Sequence, residues 1–421
     1  MVRAVAHVMC FCSQHTRKNL QLHLETLSCE IGPRPVGSAA NRRAESYIAA
    51  QLERLGYTVR RQQFECEDWR LENVDVEVDG VHMPVRPNNY SRACDVRAPL
   101  VTAHTIEDLK SQDLRGRVVA LHGGLSADPW QPRHFRFFSI RDQLHLREHL
   151  ERAQPAAVIT ISPRNEHVRP IIEDGEFHIP SVTVSASVGA QLLAAEGHAV
   201  RVCVDSRSQP AMGANVIADG PVHLRGAAPQ VLLCAHYDTK HESPGALDNA
   251  SGVAAMMALA DRLARRRDVE VQCLALNGHD HFAAPGQQAY QEFLGATRAS
   301  LDLVVNFDDI GYETAANTVA FMGCSERFVT QAREYVAHHG AGLLEIGPWP
   351  QGDHAAFWYA GVPSVAFTSE ASFALPDRIT HTPLDVAANV NVDSICDVVA
   401  FVEEALIDGL AVLPARRIQQ S

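Results

Sequence analysis

Short apolar runs recur along the second half of the chain, and several end abruptly in ionisable side chains. Val231-Leu232-Leu233-Cys234-Ala235 reads as a buried strand and stops at His236 and Asp238. Residues 269–276 form a second run and lead into His279, Asp280 and His281. A third, Leu303-Val304-Val305-Asn306-Phe307, closes on Asp308 and Asp309. Runs without polar alternation are those of strands covered on both faces, as in a parallel sheet. Between the first two lies 253–263, apolar nearly all round as a buried helix is. Asp248 sits in the Gly/Pro-containing loop that precedes this helix. Three strand ends and one loop therefore deliver ionisable groups to one sheet edge, where ligands bind in open α/β sheets.

The remaining pattern frames this core. Residues 15–55 predict two helices broken at Gly32-Pro33-Arg34-Pro35, with Ala44, Tyr47, Ile48, Leu52 and Leu55 forming the apolar stripe of the second. The break reads as a rigid helix-to-helix turn, with a functional loop as the alternative. Gly56 stops the second helix, and 57–64 alternates like a strand. From about 71 to 204 the pattern changes to short strands, at 118–121, 157–161 and 179–184, with a helix near 188–195. A stretch containing Trp130, His134, Phe135, Phe137 and Phe138 interrupts them. Helix and strand signals resume with a helix at 328–338, a strand at 362–367 and a terminal helix at 392–410. The expected architecture is α/β: a three-layer helix–sheet–helix core with a mixed, mostly parallel sheet. It comprises residues 15–70 and 206–412 as one discontinuous domain, with 71–205 as an inserted, mostly β module. The polar tail 414–421 is expected to fray.

Composition narrows the partners. The chain has 421 residues, 46% hydrophobic and 21% charged, and its 37 Lys and Arg against 50 Asp and Glu give a formal charge of -13. That balance disfavours nucleic acid and anionic membranes, which need a basic surface. No run approaches the roughly 18 apolar residues of a membrane helix. The apolar patch at 4–12 lacks a small-x-small cleavage pattern, so an ordinary N-terminus and a cytoplasmic location are expected. The ten cysteines include no CxxC pair. Cys234 and Cys273 fall in predicted core strands as small hydrophobes, and Cys10 and Cys12 are too isolated for a zinc knuckle.

His236, Asp248, Asp280, Asp308 and His381 make a donor set of two imidazoles and three carboxylates. That set suits two divalent ions sharing one carboxylate, and zinc accepts N and O donors. Two such ions activate a water and polarise a carbonyl together. Taken singly, each residue has a plainer role. His236 could be a satisfied core histidine, Asp248 a helix cap, His381 the start of a helix, and His281 an ordinary residue of a first helical turn.

The series HYDT, GALDNASG, NGHDH, NFDDIG, GDHAAF and THTPLD resembles the co-catalytic dizinc aminopeptidases, which are related to glutamate carboxypeptidase and glutaminyl cyclase. IGPRPVGS resembles that family's opening segment, and LRGRVVALHGG, AAVITIS and IPSVTVS resemble a protease-associated domain. The resemblance implies a hydrolase that removes N-terminal residues from a peptide, or acts on a small amide, with two divalent ions, zinc by type. His236 and Asp308 would hold one ion, Asp280 and His381 the other, and Asp248 would bridge them. Asp238 would orient His236, while Asp353 and His354 would support the site from a nearby loop. It also implies a cis peptide between Asp248 and Asn249.

One position departs from the family. Where its members carry the glutamate that serves as general base, this chain has His279, and the following ligand is the shorter Asp280. An imidazole titrates near neutrality and can take a proton, yet beside two dications its protonated form is disfavoured. Two alternatives follow: a metal-binding pseudopeptidase or interaction protein without hydrolysis, and a glutaminyl cyclase-like acyltransferase, since HYDTK resembles that branch.

Overall fold

A computed structural model describes residues 13–133, 140–166, 168–221, 228–297, 300–339, 342–372, 375 and 379–411. Expectations for the 4–12 patch with Cys10 and Cys12, for His134, Phe135, Phe137 and Phe138, and for the tail 414–421 fall outside the described residues. The chain divides into two compact units, Met1–Cys66 with Met212–Ser421, and Glu67–Ala211.

In the first unit four parallel strands lie side by side: Ser364–Ser369, Leu303–Phe307, Gln230–His236 and Glu270–Leu276. Asn317–Met322 and Leu343–Glu345 extend the sheet on one side. Residues 216–219 of the strand Ala199–Asp219 run antiparallel on the other. Pairing of Leu276 with His236 and of Phe307 with Phe367 brings the carboxyl ends of all four parallel strands to one edge. Side chains alternate between two cores, as a pleated strand requires. Val231, Leu233 and Ala235 face one cluster, with Leu20, Ile48, Leu259 and Phe401 of the helices Gln14–Glu25, Ala39–Arg54, Gly252–Leu263 and Val392–Phe401. Leu232 and Cys234 face the other, with Tyr290 and Phe357 of the helices Pro285–Thr297 and His354–Tyr359. The three expected layers are present.

Local chemistry explains the helix ends. The hydroxyls of Ser13 and Ser38 accept the backbone amides of Thr16 (3.1 Å) and Asn41 (3.0 Å) as N-caps. Gly56, at φ 88°, ends the second helix in a conformation suited to glycine. The helix expected to contain His281 begins only at Pro285. His281 lies in the preceding bend, where its Nδ1 accepts the amide of Ala283 at 3.1 Å. The strand expected over 57–64 runs from Thr58 to Val78.

In the second unit Cys94–Ala103, Val118–Leu121, Ala157–Ile161 and Ser181–Val184 form a parallel series. The helices Ile106–Ser111 and Arg141–Ala153 lie in the connections between them, and Ala186–Ala194 follows the last strand. Arg147 and Asp174 form an ion pair in its interior. Trp130 is buried with its ring edge-on to Phe177.

One buried group makes stability depend on pH. His23 is enclosed beside Tyr47, its Nδ1 2.7 Å from the phenol oxygen. Burial pushes its pKa down to about 4 against the pull of Asp261. The unfolded chain binds the proton more readily than the folded one, so this contribution is present above the unfolded value near 6.5 and is lost as pH falls towards 4. Between pH 7 and pH 5 the expected loss is about 2 kcal/mol. Urea unfolding of wild type and His23→Gln at both pH values checks it: the variant should show a smaller drop.

Candidate metal centre

Each element of the first unit's sheet edge contributes one piece of the site. Gln230–His236 ends in His236, and Leu303–Phe307 is followed at once by Asp308. The turn after Glu270–Leu276 carries His279 and Asp280. The loop before Gly252–Leu263 carries Asp248, and the segment after Ser364–Ser369 carries His381 at φ 63°. The peptide bond between Asp248 and Asn249 is cis.

The five expected donors converge. His236 Nε2 lies 3.1 Å from Asp248 Oδ1 and 3.3 Å from Asp308 Oδ1. His381 Nε2 lies 2.9 Å from Asp248 Oδ2 and 3.3 Å from Asp280 Oδ1. The two oxygens of Asp248 thus face different imidazoles, each accompanied by its own second carboxylate. Asp309 also approaches: it forms with Asp248 and Asp308 a group whose donor atoms lie within 4.8 Å of one another. His279 forms such a group with His236 and Asp308.

The donor chemistry fits a divalent cation. Oδ2 of Asp280 is buried without a hydrogen-bond partner, although buried polar atoms are normally satisfied, and the nitrogens of His236 meet their neighbouring carboxylates only at 3.1–3.6 Å without good hydrogen-bond geometry. Burial opposes a charge on His236, yet Asp238, Asp248 and Asp308 hold its pKa well above the ordinary value. Burial likewise opposes a charge on His381, which Asp280 and Asp248 lift to about 10. The concentrated negative potential that retains protons on these imidazoles also attracts a metal ion, which competes for the same nitrogens. Asp309 is pushed well above the carboxylate range by burial and by Asp248 and Asp308.

A surrounding set of side chains holds these groups. Asp238 accepts the backbone amides of His279 (3.1 Å) and Asp280 (3.0 Å), and its Oδ1 stands 3.6 Å from His236 Nδ1. Lys240 donates to the carbonyl of Asp280 at 2.7 Å. His279 stacks on His236, with ring centroids 4.3 Å apart and planes at 11°. Its Nδ1 lies 3.1 Å from Asp353 Oδ1, an oxygen that also accepts from Gln287. Burial works against charging His279, but Asp353 raises it to about 9. His354 points away, its Nε2 2.9 Å from the carbonyl of Trp349.

Lys240, Gln287 and the carboxylate of Asp385 had no assigned part in the sequence patterns, and Arg34 was read only as part of a turn. A lysine directly after HYDT and a charged residue inside an otherwise apolar GPRP turn were the available signals.

Comparison with known proteins agrees with the resemblance. Residues 215–406 match the model of Peptidase family M28. The "Probable lipoprotein aminopeptidase LpqL" of Mycobacterium tuberculosis is 26% identical over 293 residues, 66% of this chain. The match spans 55% of that relative's own length. Among solved structures, "Peptidase M28 precursor" from Shewanella amazonensis superposes with a TM-score of 0.73 at 18% identity, covering 97% of this chain and 99% of the other. BSAP, a zinc aminopeptidase from Bacillus subtilis, superposes at 0.72 and 20% identity, covering 93% and 95%. The expected fold, a mostly parallel mixed sheet with helices on both sides, is theirs as well. Among the described residues, no helix is long and apolar enough to cross a membrane.

Proposed function

For a chain whose residues 215–406 match peptidase family M28, we propose a metal-dependent aminopeptidase that hydrolyses N-terminal residues from peptides. The observation that carries this reading is the division of Asp248: one oxygen 3.1 Å from His236, the other 2.9 Å from His381. His236 and Asp308 would hold one ion, Asp280 and His381 the second, with Asp248 available to both, and zinc suits such N and O donors. When bound, the two ions supply an activated water and polarise the scissile carbonyl.

The chain's own residues do the rest. His279 occupies the general-base position. With Nδ1 directed at Asp353, its Nε2 is left to accept a proton from the attacking water and pass it to the leaving amine. Asp353 selects that tautomer and Gln287 holds Asp353 in place. Asp238 orients His236 and, through two amides, fixes the turn bearing His279 and Asp280.

The test is release of free amino acids from a panel of short peptides by protein stripped with chelator and then titrated with zinc. Activity that returns with added zinc supports the proposal. Protein carrying its full complement of metal but turning over no peptide overturns it. That outcome favours the second reading, a metal-binding pseudopeptidase, whose supporting observation is an imidazole rather than a carboxylate at the base position.

A further inference from the structure

The loop 244–248, which carries Asp248, is gripped from two sides, by a guanidinium and by a carboxyl group. From one side the Arg34 guanidinium donates to the carbonyls of Pro244 (2.7 Å) and Gly245 (2.9 Å). Its remaining bonds go to the carbonyls of Tyr237 (2.6 Å), Leu27 and Gly32 (both 3.3 Å). From the other side the Asp385 carboxylate accepts the amides of Leu247 (2.7 Å) and Asp248 (3.1 Å). The Asp385 carbonyl also accepts the amide of Ala246 at 3.3 Å. Both residues have no solvent exposure.

A buried charge without compensation is costly. Asp385 makes its hydrogen bonds to amides of this one short loop, and Arg34 divides its own between carbonyls of the loop and those of Tyr237, Leu27 and Gly32, tying the loop to the chain on either side of it. There is no slack between them. Gly245 stands at φ +61°, and a Cβ there would come within 2.2 Å of Thr239 Cγ2 and 2.5 Å of the Asp248 carbonyl oxygen. Arg34 belongs to the segment between the first two helices, and Asp385 lies four residues beyond His381.

We infer that Arg34 and Asp385 are positioning residues which, by clamping opposite ends of the 244–248 loop, set the carboxylate shared between the two metal ions. The inference rests on the two-ion reading of the site. Because both ions share Asp248, loosening the clamp weakens both together, whereas loss of an outer ligand weakens one.

Three measurements test it. In zinc-free wild type, hydrogen exchange should find the Leu247 and Asp248 amides protected, since the clamp needs no metal; Asp385→Asn should lose that protection. In calorimetric zinc titrations, Asp385→Asn and Arg34→Met should bind both ions about 10- to 100-fold more weakly, the scale seen when groups that orient metal ligands are removed. Arg34→Lys, which keeps the charge but not the fork, should fall between. Cobalt(II) substituted at both positions should show altered visible absorption in the variants while far-ultraviolet circular dichroism is unchanged. Unprotected amides in wild type, or wild-type zinc affinity in a folded Asp385→Asn, overturn the clamp. If Arg34→Met fails to fold, the exchange measurement and Asp385→Asn still decide. Wild type that binds no zinc sinks the two-ion reading instead, and with it the metal half of the inference, while the exchange data judge the clamp on the loop.

Discussion

Replacing His381 with alanine is expected to lower kcat/KM on short peptides by about 10³-fold or more, the scale of the several kcal/mol that a divalent ion supplies to a transition state. His381 Nε2 is the nitrogen nearest Asp248 Oδ2 and the partner of Asp280 Oδ1. Without it two carboxylates face each other with no nitrogen donor between them. Metal content should fall from two equivalents to one, because the His236 and Asp308 side is untouched. The residue also sits at φ 63°, where alanine is disfavoured and asparagine is tolerated. His381→Asn therefore separates loss of the ligand from backbone distress, and should be as inactive as the alanine variant while keeping the wild-type melting temperature. Two equivalents of zinc with near-normal turnover in His381→Asn would show that the imidazole is not a ligand.

Replacing His279 should have the second largest effect and tests the unusual base. His279→Ala is expected to lower kcat by about 10²- to 10⁴-fold, the usual worth of a positioned general base, with metal content unchanged. His279→Glu should retain activity, since a carboxylate there can also take the proton. The pH profile identifies the group. Only neutral His279 can accept a proton, so activity falls on the acid side of its pKa. Asp353 raises that pKa to about 9, and bound cations push it back down. Removing the carboxylate in Asp353→Asn lowers the pKa, so the acid limb of kcat/KM should move to lower pH. An acid limb identical in wild type and Asp353→Asn would assign it to another group. Turnover appearing only in His279→Glu would favour the pseudopeptidase reading of the natural chain.

Much of the first unit was legible because its signals are local. The short, mostly apolar runs at 231–235 and 303–307 read as strands covered on both faces, and they appear as Gln230–His236 and Leu303–Phe307. The ligand candidates were legible for the same reason, since all but His381 follow a strand end or precede a helix. The start of the helix after His281 was misjudged. The bend that carries His279 and Asp280 is held by Asp238, about forty residues earlier in the chain, and no periodicity reports such a bond.

Residue order alone determined the strands, the buried helix at 253–263 and the identity of the groups that gather at the sheet edge, because pleat and helix periods are set by neighbours in the chain. Only the tertiary structure decided that Asp248 divides its oxygens between two imidazoles, that Asp353 faces His279, and that Arg34 holds the carbonyls of a loop 210 residues away. Those are electrostatic matches between groups brought together by packing. Buried charge must find its partner wherever the fold presents one, so the partner's place in the chain carries no trace of it.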